Sequence, residues 1–396
     1  VRRLPALLLA GAVVVYAVIT VTYALNVPVG SSADEVFHLN YARLIADHAA
    51  LPGATFIERQ QPPLYYLLAA GLLRAGAAPT ALRFLSIALG AVTIACVALT
   101  IRHLIPRQPW LWAGAASALA LLPGFQFVSA SITDDSVATA AGALLLLVTT
   151  RVALAAAPTR RLLLAVGCSI GVGLVAKETD LPLVLVLAAV VAWRWRRRLV
   201  LADSLPIGLP MVAIAGWWYA RNLVTFHRPL PPLTPLSGTP TKMRTLPQLQ
   251  QFVTQSLRGL FSPERYQGSP LTLPVAARLV IALLAAVLLA LVVAAVAQRA
   301  GSWAMWPPSR RTAVIAYALA AAGAALFSLV NAVLIAFQPQ GRYLLVAATG
   351  PLLAVVWAIH RVARQRARII AVSSACAMAA VALSAVGLST AISGGG

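Results

Sequence analysis

Two pairs of adjacent acids, Asp34-Glu35 and Asp134-Asp135, hold four of the 10 acidic side chains in this chain of 396 residues, and each pair stands just outside an apolar stretch. Ionised groups beside a bilayer are costly and tend to mark function. A carboxylate held near a hydroxyl can act as a general base, and apolar surroundings are expected to raise its pKa towards the working range. His38 follows Asp34 by four residues, so on a helix the two share a face, and the imidazole can orient the carboxylate or an acceptor. The competing use of Asp34 or Glu35 is to cap a helix over 36–50, with Ser31 and Ser32 as further caps. Asp134 and Asp135 precede the apolar run that opens at Ser136, and the same choice arises there. One of them is expected to cap; the other can bind acceptor hydroxyls or a divalent cation. Two carboxylates without nearby histidines are only a weak metal signal, and no metal site is assigned.

Three cations stand where a membrane protein usually has few. Lys177 lies in the turn Lys177-Glu178-Thr179-Asp180, Arg221 follows Trp217-Trp218-Tyr219-Ala220, and Arg342 follows Gln338-Pro339-Gln340-Gly341. A guanidinium forks onto phosphate oxygens and stacks on aromatic rings, which suits a lipid phosphate held at a bilayer surface. Lys177 can neutralise a phosphate or pair with Glu178, and the arginines can instead snorkel to headgroups. There is no Gly-x-x-x-x-Gly-Lys loop, no Gly-x-Ser-x-Gly elbow and no His-Glu-x-x-His. Without a nucleotide-binding motif, an activated donor would be delivered within the membrane.

The elements that must position these groups are membrane helices. The chain is 60% hydrophobic and 10% charged, with a mean hydropathy of +0.85. Apolar runs at 4–25, 82–104, 110–130, 136–157, 162–176, 180–193, 201–220, 275–297, 312–336, 342–360 and 369–391 predict an all-α polytopic protein of about eleven spans. They lack the alternation of a barrel strand. The segment Pro62–Leu73 is too short to span and reads as an interfacial helix, its paired tyrosines suited to the headgroup layer. With it on the surface, Arg2-Arg3, Arg102, Arg107, Arg151, Arg160-Arg161, the Arg194–Arg198 run, Arg299, Arg310-Arg311 and the Arg361–Arg368 run all fall on one face, opposed only by Asp203. The positive-inside rule makes that face cytoplasmic and accounts for the net charge of +21 without nucleic acid. Residues 1–396 then form a single membrane domain. Its outer face carries a first loop (26–81) with interfacial helices, a second (131–135) and a large Pro-rich third (221–274), and 369–391 is the last span. Cys96, Cys168 and Cys376 lie in apolar runs and read as small core residues.

Taken in order, Asp34-Glu35, Gln61-Pro62-Pro63-Leu64-Tyr65-Tyr66, Asp134-Asp135, Lys177, Trp217-Trp218-Tyr219-Ala220-Arg221-Asn222 and Gly341-Arg342-Tyr343-Leu344-Leu345 resemble the motifs of the C-superfamily integral-membrane glycosyltransferases. The likeness is to the protein O-mannosyltransferase and aminoarabinose-transferase branch, among its shorter bacterial members. It implies a C-type glycosyltransferase fold and an inverting transfer of a sugar from a polyprenyl-phosphate donor to a hydroxyl on a lipid, glycan or protein acceptor, at the outer face of a bacterial plasma membrane. Asp34 would be the base with Glu35 as alternate, and Asp134, Asp135 and His38 would serve the acceptor or a second acid. Lys177, Arg221 and Arg342 would hold the phosphate, and the motif aromatics Tyr65, Tyr66, Trp218 and Tyr343 are candidates for the donor pocket. Relatives often have a basic residue before Pro-Pro where this chain has Gln61, and no soluble domain follows the last expected span. The rival readings are a transporter or flippase, whose acids would lie within spans, and a non-catalytic assembly protein.

Overall fold

The computed structural model describes residues 3–196, 203–231, 242–262, 306–362 and 366–393. The expected span 275–297, residues 232–241 of the Pro-rich loop, and Arg2, Arg197, Arg198, Arg299 and Arg364 lie outside them. The described residues are all-α. In order they form α1 (Leu4–Asn26), α2 (Glu35–His48), α3 (Leu64–Arg74), α4 (Ala81–Leu104), α5 (Pro109–Ala120), α6 (Pro123–Ser129), α7 (Asp135–Leu154), α8 (Arg160–Ala176), α9 (Leu181–Trp195), α10 (Ser204–Met211), α11 (Trp217–Phe226), α12 (Leu246–Gly259), α13 (Pro308–Leu334), α14 (Thr349–Val362) and α15 (Arg366–Ser393). Short 3-10 helices occupy Glu178–Asp180 and Gly341–Ala347.

Among the described residues α1, α4, α7 and α13 are long and apolar enough to cross a membrane, and two bent pairs raise the number of candidate spans from 4 to 6. The bends correct two expected straight spans. The run 110–130 breaks after Ala120 and turns by 63° into α6, which Pro123 starts because a proline lacks the N–H that a helix interior needs. The run 342–360 opens as a 3-10 helix and turns by 79° into α14. Within 201–220, Pro210 sits inside α10, and a π-helical turn at Val212–Gly216 resets the hydrogen-bond register before α11.

The axis of the bundle is α7, which packs against α4, α8, α9, α13 and the 3-10 helix 341–347. Its apolar window is 78% buried, against 28% for α1. Ala138, Ala140, Ala141, Gly142 and Ala143 make close approach feasible, as small residues do between membrane helices. A Cβ on Gly142 would collide with the Val346 carbonyl, so that glycine lets the 3-10 helix lie directly on α7. The N-terminal end of α7 thereby meets the turn that carries Arg342.

Helix α3 is 11 residues long, well short of the roughly 20 a span requires. Its tyrosines face the protein interior. Tyr65 and Tyr66 are fully buried between α2, α4 and α7 because each hydroxyl finds an interior partner, Ser86 at 3.2 Å and His38 Nδ1 at 2.8 Å. Tyr41 stacks on Tyr66 with ring centroids 3.8 Å apart, which fixes α2 on α3. Cys96 is buried, whereas Cys168 is exposed on α8 and is not the core residue expected.

Gly142→Ala is expected to destabilise the protein by about 1–3 kcal/mol, because the added methyl must displace backbone. Gly11→Ala, with open space around its Cβ position, should leave the thermal midpoint in detergent unchanged. Equal midpoints for the two variants would remove the close α7 contact from the account.

Candidate functional site

The loop after α1 turns through Gly30 and delivers Asp34 in the left-handed backbone region, at φ 57°, immediately before α2. No side chain caps α2: Ser32 Oγ instead lies 2.7 Å from the Tyr23 hydroxyl, and Asp34 points at Arg342. The capping expected of Asp134 or Asp135 is likewise absent. Thr133 Oγ1 accepts from the Asp135 N–H, which frees both carboxylates to turn away from the helix start.

Those carboxylates turn onto cations. Lys177 Nζ donates to Asp134 Oδ1 and to Asp135 Oδ1, each at 2.6 Å. Arg342 Nε lies 3.2 Å from Asp135 Oδ2, and its Nη2 donates to Asp34. The result is an alternating chain, Asp134–Lys177–Asp135–Arg342–Asp34, drawn from four parts of the sequence. Gln340 Oε1 accepts from Arg342 Nε and Nη2 at 2.9 and 2.7 Å and holds the guanidinium plane. The Tyr343 ring lies 5.4 Å from Lys177 Nζ and 5.6 Å from Arg342 Cζ. His38 and Asp134 are joined through the Tyr66 hydroxyl, which donates to Asp134 Oδ2 at 3.3 Å.

Lys177 is thus committed to the two aspartates rather than to Glu178. Burial opposes its charge, but Asp134 and Asp135 more than compensate and push its pKa above the ordinary lysine value. For Asp34 the expected direction is reversed. Burial pushes its carboxyl up, but the Arg342 guanidinium, with help from His38 and Lys177, outweighs burial and holds the pKa below the usual aspartate value. Asp34 is also the accessible member, its side chain 18% exposed against 5% for Arg342. A small, half-open cleft lies beside Arg342, with Tyr23, Ala33, Phe127, Ser131 and Thr133 in its wall.

Glu35 and Arg221 stand apart from the chain of charges. Glu35 is fully buried, and both its oxygens bond Arg83 at 2.8 Å. Arg221 lies over the Trp218 and Phe226 rings, with 5.3 and 4.9 Å from Cζ to the centroids, and donates to the Pro52 carbonyl. Tyr65, Tyr66 and Trp218 have no open face, and of the four aromatics only Tyr343 is partly exposed. Among the described residues no group of three or more His, Cys, Asp or Glu side chains is placed to hold a metal ion. The Asp134 and Asp135 oxygens already face Lys177 and Arg342.

Several site residues escape the sequence reading. Arg83 hides in an apolar run, and Gln340 is an ordinary polar residue until Arg342 is placed beside it. Glu58 takes φ 66°, a left-handed conformation that a glutamate seldom adopts, and accepts from Gln60 Nε2 at 3.0 Å. Asp180 is fully buried, and neither of its oxygens has a hydrogen bond among the described residues. Helix α12 falls within the expected outer loop 221–274. Its reciprocal cap between Thr245 and Gln248 is the signal that could have found it. The Gly124 N–H donates to Leu260 O at 2.9 Å, which seats the end of α12 beside the cleft.

Residues 60–218 match the protein family described as dolichyl-phosphate-mannose-protein mannosyltransferase. No curated protein sequence matches the chain significantly. Among solved structures, ArnT from Cupriavidus metallidurans in the apo state aligns over 97% of this chain and 76% of its own, at 14% identity and TM-score 0.55. The same protein bound to undecaprenyl phosphate aligns over 94% and 63%, at 18% identity and TM-score 0.55. The S. cerevisiae protein O-mannosyltransferase Pmt1-Pmt2 complex bound to the sugar donor aligns over 56% of this chain at 21% identity and TM-score 0.42, and this chain spans 33% of its length. The ArnT likeness shows that this chain shares the fold of that protein, and the chain is a multi-pass integral membrane protein.

Glu178, beside Lys177 and partly buried, supplies a pH-dependent element of stability. Burial pushes its carboxyl from the ordinary 4.5 up to about 7, against the pull of Lys177. Between those values the unfolded chain has released a proton that the folded chain retains, so this group makes stability fall as pH rises and then level off above about 7. Glu178→Gln is expected to match the wild type near pH 4 and to melt at a higher temperature at pH 8. Thermal midpoints that part at pH 4 and coincide at pH 8 would contradict this sign.

Proposed function

We propose that this chain, whose residues 60–218 match the dolichyl-phosphate-mannose-protein mannosyltransferase family, transfers a sugar from a polyprenyl-phosphate donor to a hydroxyl acceptor with inversion. The observation that carries the reading is the position of Arg342 between Asp34 and Asp135, with Lys177 one step behind. Two cations with anion-binding geometry stand beside one accessible carboxylate, which is what the two halves of such a displacement require.

Without donor, Arg342 neutralises Asp34 and makes it a weak base. A donor phosphate entering by the cleft competes for the Arg342 guanidinium and for Lys177. Once Arg342 shifts towards phosphate, the Asp34 carboxylate loses the charge that depresses its pKa and can accept a proton. The acceptor oxygen then attacks the anomeric carbon, its proton passing to Asp34. The bond from that carbon to the phosphate oxygen breaks with its electron pair left on phosphate, and configuration inverts through an oxocarbenium-like state. Arg342 and Lys177 stabilise the departing charge, while Asp134, Asp135, His38 and Tyr66 fix Lys177 and the acceptor side of the site. Arg221, held over the Trp218 ring and bonded to the Pro52 carbonyl, stands apart from these groups. Glu35 is an anchor rather than the base, since Arg83 engages both its oxygens.

The topology that serves this chemistry has about eleven spans, a cytoplasmic N-terminus, and the loops 26–81, 131–135 and 221–274 outside, within one membrane domain of a bacterial plasma membrane. Arg194 supports it by donating to Ala155 O at 3.3 Å, which gathers basic ends of α7 and α9 at the pole opposite Asp134 and Asp135. The acids lie at helix ends rather than within spans, which favours transfer over ion-coupled transport.

Purified protein given radiolabelled polyprenyl-phosphate mannose and a hydroxyl acceptor tests the reading. Asp34→Asn should lose about 10²–10⁴ in transfer rate, while binding donor phosphate more tightly because Arg342 no longer has a carboxylate competitor. Arg342→Ala and Lys177→Met should each lose about 10²–10³ in rate. Transfer by Asp34→Asn within a few-fold of wild type would falsify the assignment of the base.

A further inference from the structure

Arg83 is the third residue of α4, is wholly buried, and directs its hydrogen bonds to Glu35 and to backbone carbonyls rather than to the cleft. Its Nε and Nη2 fork onto the two Glu35 oxygens at 2.8 Å each. Its remaining N–H groups close the end of α1: Nη1 donates to Ala24 O at 3.1 Å and Val27 O at 2.5 Å, and Nη2 to Pro28 O at 3.0 Å. The Tyr23 ring lies 5.7 Å from the Arg83 Cζ. The Glu35 carboxylate accepts two backbone bonds beyond the fork, from Gly30 N at 2.7 Å and from Ile132 N at 3.0 Å. One ion pair therefore ties together the end of α1, the turn at Gly30, the start of α2 and the loop that precedes α7.

Two of those attachment points adjoin the reacting groups. Glu35 is the residue after Asp34, and Ile132 is two residues before Asp134. The two acidic loops are about a hundred residues apart in sequence, yet they are held to opposite sides of a single carboxylate. We infer that Arg83 is a positioning residue: through Glu35 it sets the separation of Asp34 from Asp134 and keeps Asp34 in its left-handed backbone conformation. A lysine cannot take its place, because an ammonium is a point donor that cannot fork onto the carboxylate and reach three carbonyls at once. This inference rests on the reading of Asp34 as the base.

The test uses the full chain in detergent and two readouts. Arg83→Lys is expected to lower kcat for mannose transfer about 10²-fold, the size of effect that follows a small misplacement of a reacting group. Donor KM should stay within about two-fold, since Arg342 and Lys177 bind the phosphate. In a second series Asp34→Cys is labelled with a water-soluble maleimide, with Arg83 and with Arg83→Lys. A positioning role predicts different labelling rates at equal thermal midpoints measured in matched pairs. Should Arg83→Lys not fold, Glu35→Asp, which keeps the charge but shortens its reach, is read in the same way. Unchanged kcat and unchanged labelling overturn the inference, and so does a rise in donor KM that accounts for the whole loss. If the wild-type protein transfers no sugar, the transfer reading fails by itself, because the labelling comparison still reports whether Arg83 sets the place of residue 34.

Discussion

The structure depends on how this chain compensates charge that it has taken out of water. Removing an isolated carboxylate from water costs several kcal/mol even after relaxation, and Glu35, Asp134 and Asp135 are each exposed by 2% or less. Glu35 receives a forked guanidinium and two backbone N–H groups, so its acceptor capacity is filled and it has little left to offer a ligand. Asp134 and Asp135 share one ammonium, and Arg342 takes the second oxygen of Asp135 before reaching out to Asp34. The first arrangement is closed and structural. The second ends on an accessible carboxylate, which is where chemistry can enter.

Helix α7 makes the open arrangement attainable. Its small residues admit the 3-10 helix 341–347 at backbone contact, so Arg342 reaches Asp135 from a segment that is remote in sequence. The short 3-10 turn after α8 holds Lys177 on the other side. Each cation is carried by tight backbone between helices rather than by a long loop, and little conformational freedom remains to be lost when an anion binds.

Much of this is legible in the sequence, and the limits are instructive. Asp34, Asp134, Asp135, Lys177 and Arg342 stand out because charges are rare in such a chain and each of these falls at the end of an apolar run or within about ten residues of one. Helices α1, α4, α7 and α13 follow from hydropathy alone. What hydropathy cannot give is direction: Glu35 and Asp34 are neighbours with opposite fates, decided by which one faces Arg83. The burial of Tyr65 and Tyr66 is not legible until tertiary partners for their hydroxyls are known. The pKa of Asp34 is misjudged for the same reason, because burial can be read from its surroundings in sequence but the arginine that overrides burial comes from residue 342. The bends at Pro123 and before Thr349 show that an apolar run of spanning length need not be straight.

The backbone of Asp34 restricts which residues the position can hold. At φ 57° a side chain crowds its own carbonyl, and aspartate and asparagine enter this region several-fold more readily than most residues because they can hydrogen-bond locally. A glutamate can take such a backbone conformation, as Glu58 does at φ 66°, but at position 34 it would carry the same charge one methylene further from the turn that aims it. The position thus selects for side-chain length as well as for acidity. Replacement by asparagine separates the two, since it fits the same turn but removes the negative charge, and with it both the proton acceptor and the ion pair with Arg342.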